Sequence, residues 1–180
     1  MQLAFNPVKP HVLYSSFRRH DVIYAWDLRG DTSVPVHLLQ RRDGGRMETN
    51  QKIKFDVDIG GKWLGVGDES GNVHMFDVDE PTSEEEAQGT PVIRPTLSYR
   101  AHDDAVGSVA FHPLKPLVLS VSGSRHFDTE DVSRREDSSG SSDEDDAQDA
   151  GVRAVKRHRY RPQPSIRDSS VKLWEFGGRP

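Results

Sequence analysis

Three segments of the chain alternate apolar and polar positions and end on an aromatic residue followed by an acid. They are Val22-Ile23-Tyr24-Ala25-Trp26-Asp27, Asn72-Val73-His74-Met75-Phe76-Asp77 and Ser170-Val171-Lys172-Leu173-Trp174-Glu175. Each closes a similar longer unit. Residues 2–5, 52–56 and 107–111 read as short opening strands. Asn6-Pro7, Ile59-Gly60-Gly61 and His112-Pro113 follow as turns, and residues 11–16, 63–67 and 117–122 read as second strands. Period-two alternation bounded by Gly, Pro and Asn is the signature of β-structure.

Spacing turns these strands into a repeat. Trp26 and Phe76 lie 50 residues apart, as do Phe5 and Phe55, and Phe55 to Phe111 is 56. Such units match the blades of a WD40-type β-propeller. Phe76 to Trp174 is 98 and breaks the period. Removing a polar stretch of about 40 residues restores a normal third unit, as a loop insertion would. The pattern stops after Ser122-Gly123 and resumes at Ile166-Arg167-Asp168, with Asp168 six residues before Trp174. The insert is therefore predicted between the second and third strands of one blade, on the face that carries the blade-to-blade connections. Outer strands are predicted over 34–39 and 92–99. Pro35 and Pro95 suit edge strands, where a missing ladder donor is tolerated.

The fold expected is all-β: about three blades of a larger, seven-bladed propeller, since known rings use four to eight. Residues 1–124 form blades, 125–164 the insert, and 165–180 the closing strand and tail. An opening inside a strand suggests the C-terminal part of that larger ring, or an incomplete gene sequence.

Composition changes the picture only locally. The chain is 33% hydrophobic with mean hydropathy −0.73. That deficit sits in the insert: residues 125–150 hold ten acids against three bases, and 151–168 hold six bases against one acid. Such stretches bury too little apolar surface to offset ordering entropy and are predicted to be disordered. A smaller polar loop spans 79–91. The net charge of −5 averages the two opposite blocks. No cysteine is present, which excludes disulfides and cysteine-ligated zinc. No apolar run approaches the roughly 18 residues of a membrane span. Met1-Gln2-Leu3-Ala4-Phe5 has neither the charged leader nor the apolar core of a signal peptide.

The candidate chemistry is sparse. His102, Ser122, Asp168 and Trp174 fall where WD40 blades keep an internal hydrogen-bonded tetrad. The same Ser, His and Asp types could form a hydrolase triad. Ser122 lacks a nucleophile-elbow setting, so the structural reading is preferred and no enzyme activity is expected. In the second unit Phe76 replaces Trp and Ser70 stands where the turn Asp would fall, so that blade is expected to lack the full network and rely on packing. The eight histidines show no metal-ligand spacing and no Gly-rich phosphate loop is present, so no metal, cofactor or small-molecule substrate is expected. Within the insert, Ser133, Ser141 and Ser142 each precede an acid by three residues and are candidate phosphorylation sites. Arg153, Lys156, Arg157, Arg159 and Arg161 surround Tyr160, and with Arg125 they are the candidate RNA-binding residues. Bases contact phosphate and the tyrosine can stack. A nuclear-import segment, or masking of the basic half by the acidic half, would use the same residues.

The segment Glu48-Thr49-Asn50-Gln51-Lys52-Ile53-Lys54-Phe55-Asp56-Val57-Asp58 lies between Trp26-Asp27-Leu28-Arg29 and Gly71-Asn72-Val73-His74-Met75-Phe76-Asp77. In that order, and with Phe111-His112-Pro113, Pro116 through Gly123, an acidic insert and Val171-Lys172-Leu173-Trp174, it resembles the telomerase Cajal body WD40 protein family, apart from the insert. The resemblance implies a nuclear RNA-binding scaffold. Its partners would be small nuclear or Cajal-body RNAs, including telomerase RNA, and their ribonucleoprotein components. Localisation would be nuclear, in the Cajal body or nucleoplasm. Fungal-type relatives look connected to pre-mRNA splicing. The alternative is a protein-only interaction scaffold, such as the substrate adaptor of a ubiquitin ligase, that works through its propeller face and acidic loop.

Overall fold

A computed structural model of the protein describes residues 1–42, 47–79, 89–126 and 164–176, which contain twelve β-strands and no helix. The first sheet holds β1 (Gln2–Phe5), β2 (Val12–Ser16), β3 (Val22–Asp27) and β4 (His37–Gln40). The second holds β5 (Phe55–Val57), β6 (Trp63–Gly67), β7 (Asn72–Asp77) and β9 (Leu97–Arg100). The third holds β10 (Val106–Phe111), β11 (Leu117–Ser122) and β12 (Val171–Glu175). Each sheet is an antiparallel meander, with β8 (Val92–Ile93) added in parallel to the edge of β4. The chain divides into two compact units, Met1–Ser124 with Ile166–Pro180, and Arg125–Ser165. In the second unit, His126 and Ser165 exchange backbone hydrogen bonds of 2.9 and 2.8 Å.

Alternation decides which face of each strand is buried. Tyr14, Ile23, Ala25 and Leu39 of the first sheet meet Phe55, Leu64, Val66 and Phe76 of the second. The opposite face of the second sheet supplies Val73 and Met75, which pack with Ala101, Val106, Val109 and Val118. Each seam is thus one hydrophobic cluster between neighbouring blades. The outward faces of the first and third sheets are apolar too: Leu3 and Phe5 are exposed on one, Val171 and Leu173 on the other.

Three strands differ from the sequence expectation by more than one residue; the outer strand expected over 34–39 is β4, which begins at His37. The second opening strand starts at Phe55, because the Lys54 N–H donates to Gly107 O (2.9 Å) in the third blade instead of to its own sheet. The stretch 92–99 serves two blades. Val92 and Ile93 pair with Leu38 and Leu39, whereas Leu97 to Arg100 pair with β7. Pro95 stands between them, where a residue without an N–H does no harm to either ladder.

The strand directions sort the loops. Residues 17–21 and 68–71, the departure at Gly123 and the return at Ile166 lie at the same strand ends as residues 41–42, 47–54 and 101–105, which belong to the inter-blade connections. This connection face carries the groups described next.

Candidate functional site

In each blade an aspartate, Asp21, Asp68 or Asp168, stands near the start of the third strand on the connection face, and each is met differently. In the third blade, Asp168 Oδ2 lies 3.2 Å from His102 Nδ1, which is also 3.1 Å from Ser170 Oγ. His102 Nε2 lies 2.7 Å from Ser120 Oγ, and the Trp174 indole N–H donates to that same oxygen at 2.8 Å. Indole is a donor only, and Nδ1 beside a carboxylate carries the proton. Ser120 therefore accepts from Trp174 and donates to His102 Nε2, while His102 Nδ1–H donates to Asp168. Hydrogen bonds from the Ser170 side chain and backbone, then from the Asp103 N–H, hold the Asp168 carboxyl well below the usual carboxylate range.

The hydroxyl of this tetrad is Ser120, and the expectation of Ser122 is corrected. Both side chains point to the same face, two residues apart. The register pairs Val118 with Trp174, and this brings the indole N–H to Ser120. Ser122 instead donates to Ala105 O (3.1 Å) on the connection from the second blade. Ser120 to His102 to Asp168 has the bonding order of a hydrolase triad. Its serine is fully buried, however, and its oxygen is already engaged by Trp174, so the arrangement ties β11 and β12 to the preceding connection.

The first blade repeats half of this device. Leu13 pairs with Trp26, and two residues on, Ser15 Oγ accepts from the Trp26 indole at 2.8 Å. Its turn acid, Asp21, is met by Arg41 at 3.3 Å and Arg42 at 3.7 Å. Arg41 is itself buried and donates to Gly67 O of the second blade at 2.9 Å. Burial raises the Asp21 carboxyl, with both arginines opposing.

The second blade lacks the tetrad, as the sequence leads one to expect, but packing is not its sole support: it has a different network of its own. Phe76 offers no N–H, and the position where the other blades have serine is the buried Val66. The turn acid is Asp68, fully buried, and Ser70 plays no such part. Asp68 accepts from the backbone N–H groups of Ser70 and Asn72 (2.8 Å each) and the Asn72 side chain (2.9 Å). It also lies 3.1 Å from His74 Nε2, whose Nδ1 is 2.8 Å from Ser98 Oγ. Burial would raise the Asp68 carboxyl, but the bonds from His74 and Asn72 outweigh it and hold it well below the usual range. The turn from Asp68 to the aromatic is two residues longer than that from Asp168 to Trp174, so counting back from the aromatic misses it.

Of the candidate RNA-binding residues, Arg125 is described and is exposed. Arg153, Lys156, Arg157, Arg159, Tyr160 and Arg161 lie outside the described residues, as do Ser133, Ser141 and Ser142. Among the described residues no group of His, Asp and Glu is arranged to hold a metal ion.

Two cavities open at the seams. One, of about 690 Å³, lies between the second and third blades at the opposite strand ends and is apolar, with Trp63, Met75, Phe111 and Phe176 in its wall. The other, of about 140 Å³, lies between the first and second blades on the connection face. Arg18, Arg19, Arg41, Lys52 and Lys54 line it, and no acid does.

No family model matches the chain. Telomerase Cajal body protein 1 of Homo sapiens is 34% identical to it over 125 residues, which is 69% of this chain and 21% of the human protein. The Drosophila melanogaster homolog is 33% identical over 115 residues, or 64% of this chain and 18% of that protein. The chain belongs to the telomerase Cajal body protein family. It spans about a fifth of the length of these relatives. Among solved structures, the WD40 repeats of RRP9 superpose with a TM-score of 0.50 at 16% identity, covering 72% of this chain and 35% of that one. A chain of an active polycomb repressive complex 2 gives 0.50 at 20% identity, covering 72% and 28%. These likenesses fix the fold as WD40 blades, in agreement with the all-β reading of the sequence.

Proposed function

We propose that the protein is a nuclear, non-catalytic scaffold that binds small RNAs of the Cajal body or spliceosome and their ribonucleoprotein partners. The observation that carries this reading is kinship, across the blades, with proteins named for telomerase and the Cajal body. Cajal-body residence comes to this chain on the same ground. The blades are clamped by buried polar networks and offer surfaces for partners. The RNA-gripping groups are Arg125 and the run Arg153, Lys156, Arg157, Arg159, Tyr160 and Arg161, where five bases in nine residues surround one stacking ring.

Replacing Arg153, Lys156, Arg157, Arg159 and Arg161 by Gln should weaken binding of single-stranded RNA. It should also flatten the dependence of log K on log salt by roughly 0.7 for every phosphate that is no longer neutralised. Fluorescence anisotropy across a salt series reads both. Unchanged affinity and slope would remove the insert from the RNA site. Failure to bind a protein partner, with RNA binding intact, would favour the protein-only scaffold.

A further inference from the structure

The cavity between the first two blades has features that the network of the blades does not require. Its rim is cationic for a structural reason. Phe55 is buried in the core and Ile53 packs against it, so alternation turns Lys52 and Lys54 outward. Arg18 and Arg19 are exposed on the facing turn of the first blade. Among the described residues none of these four side chains makes an ion pair. Two acids of this face are already committed, Asp21 to Arg41 and Arg42, and Glu69 to Arg42 at 3.0 Å. Four unpaired like charges around one opening repel one another and cost stability.

Two further observations point to a ligand. Arg19 has φ of 62°, in the left-handed region that a residue with a Cβ rarely enters. Backbone strain of this kind persists where a side chain must be held in a particular direction. Phe17, beside the opening, is 42% exposed. It stands edge-on to Tyr24 at 5.7 Å and 5.8 Å from the His20 ring, and it lines the same cavity as the bases. The cavity, about 140 Å³, is smaller than the ~300 Å³ and upward typical of small-molecule pockets. It suits a single anionic group, not a whole nucleotide.

We infer that this seam pocket takes a backbone phosphate of single-stranded RNA on Arg18, Arg19, Lys52 and Lys54, with a neighbouring base stacked on Phe17. The inference rests on the RNA reading above and adds an RNA site on the rigid blades that does not depend on the insert. An anionic peptide would use the same bases. The exposed aromatic beside them favours RNA, because every base offers a face for stacking. One wall of the pocket is Gln51 to Lys54, within the same segment that carries the family resemblance.

The test uses the whole chain and a fluorescein-labelled, mixed-sequence single-stranded RNA. A variant with Arg18→Gln, Lys52→Gln and Lys54→Gln should bind about tenfold or more weakly, with a salt slope shallower by roughly 0.7, the value for one phosphate no longer neutralised. Its unfolding midpoint should stay the same or rise, since like-charge repulsion is relieved. Phe17→Ala should weaken binding and leave the salt slope unchanged. Arg19→Gly should weaken binding without loss of stability. Unaltered affinity and slope in a folded triple variant would overturn the inference and leave the RNA reading standing. So would selective loss of binding to an acidic phosphoserine peptide with RNA binding intact. If the unaltered chain binds no RNA, the parent reading fails, and the pocket assignment falls with it.

Discussion

Ser120→Ala should destabilise the protein by about 2–4 kcal/mol, because it leaves one buried and one half-buried partner without a hydrogen bond, at a cost of roughly 1–3 kcal/mol for a buried group. Those partners are the Trp174 indole N–H and His102 Nε2. Ser122→Ala should cost about 1 kcal/mol, since only its bond to the Ala105 carbonyl disappears. Ser15→Ala belongs with the smaller effect: Trp26 loses its acceptor, but no histidine shares that oxygen. Urea unfolding of the three variants gives the ranking. Equal losses for Ser120 and Ser122 would refute the tetrad as described. The contrast also separates a clamp from a catalytic triad, because a clamp predicts lost stability alone.

Gly71→Ala should be at least as damaging, at roughly 3 kcal/mol or more. Gly71 has φ of 92°, where a Cβ costs about 1–2 kcal/mol on conformational grounds alone. An added Cβ would also overlap the His102 carbonyl oxygen, which is backbone and has no rotamer to move to. The Gly71 carbonyl accepts the N–H groups of Ala101 (2.9 Å) and His102 (3.0 Å), so the second blade's turn is seated on the connection that delivers His102. Relief of the overlap must shift His102 and loosen the tetrad. In a double-mutant cycle, Gly71→Ala and Ser120→Ala should therefore cost less together than the sum of their separate effects. Strict additivity would show that the turn and the tetrad are independent.

The fold is legible in the sequence because its signals are local and repeated. Alternation ending at Trp26-Asp27, Phe76-Asp77 and Trp174-Glu175 marks the third strands, and the near-constant spacing marks the blades. The departures have a common physical origin: they concern pairing between strands, which no single segment encodes. Ser120 and Ser122 are indistinguishable by alternation, and only the register of β11 against β12 selects one. The Ser15–Trp26 pair carries the same offset and is the signal that could have identified Ser120. Asp68 escapes a count from the aromatic because its turn is longer than that of the third blade, with Gly71 taking the positive φ that the extra length needs. The split of 92–99 between two blades depends on the free edge of β4, which is tertiary information. Among the candidate site residues, the charge runs of the insert are obvious in sequence. The seam pocket is not, because Arg18 and Arg19 are brought to Lys52 and Lys54 only by the stacking of two blades.

The central claim is that this chain belongs to an RNA scaffold. Crosslinking the full-length protein to RNA in living cells, followed by sequencing of the bound molecules, tests it most directly. The account predicts enrichment of small Cajal-body or spliceosomal RNAs over an inert WD40 propeller treated identically. Recovery no greater than that control would contradict it and assign the blades to protein partners alone.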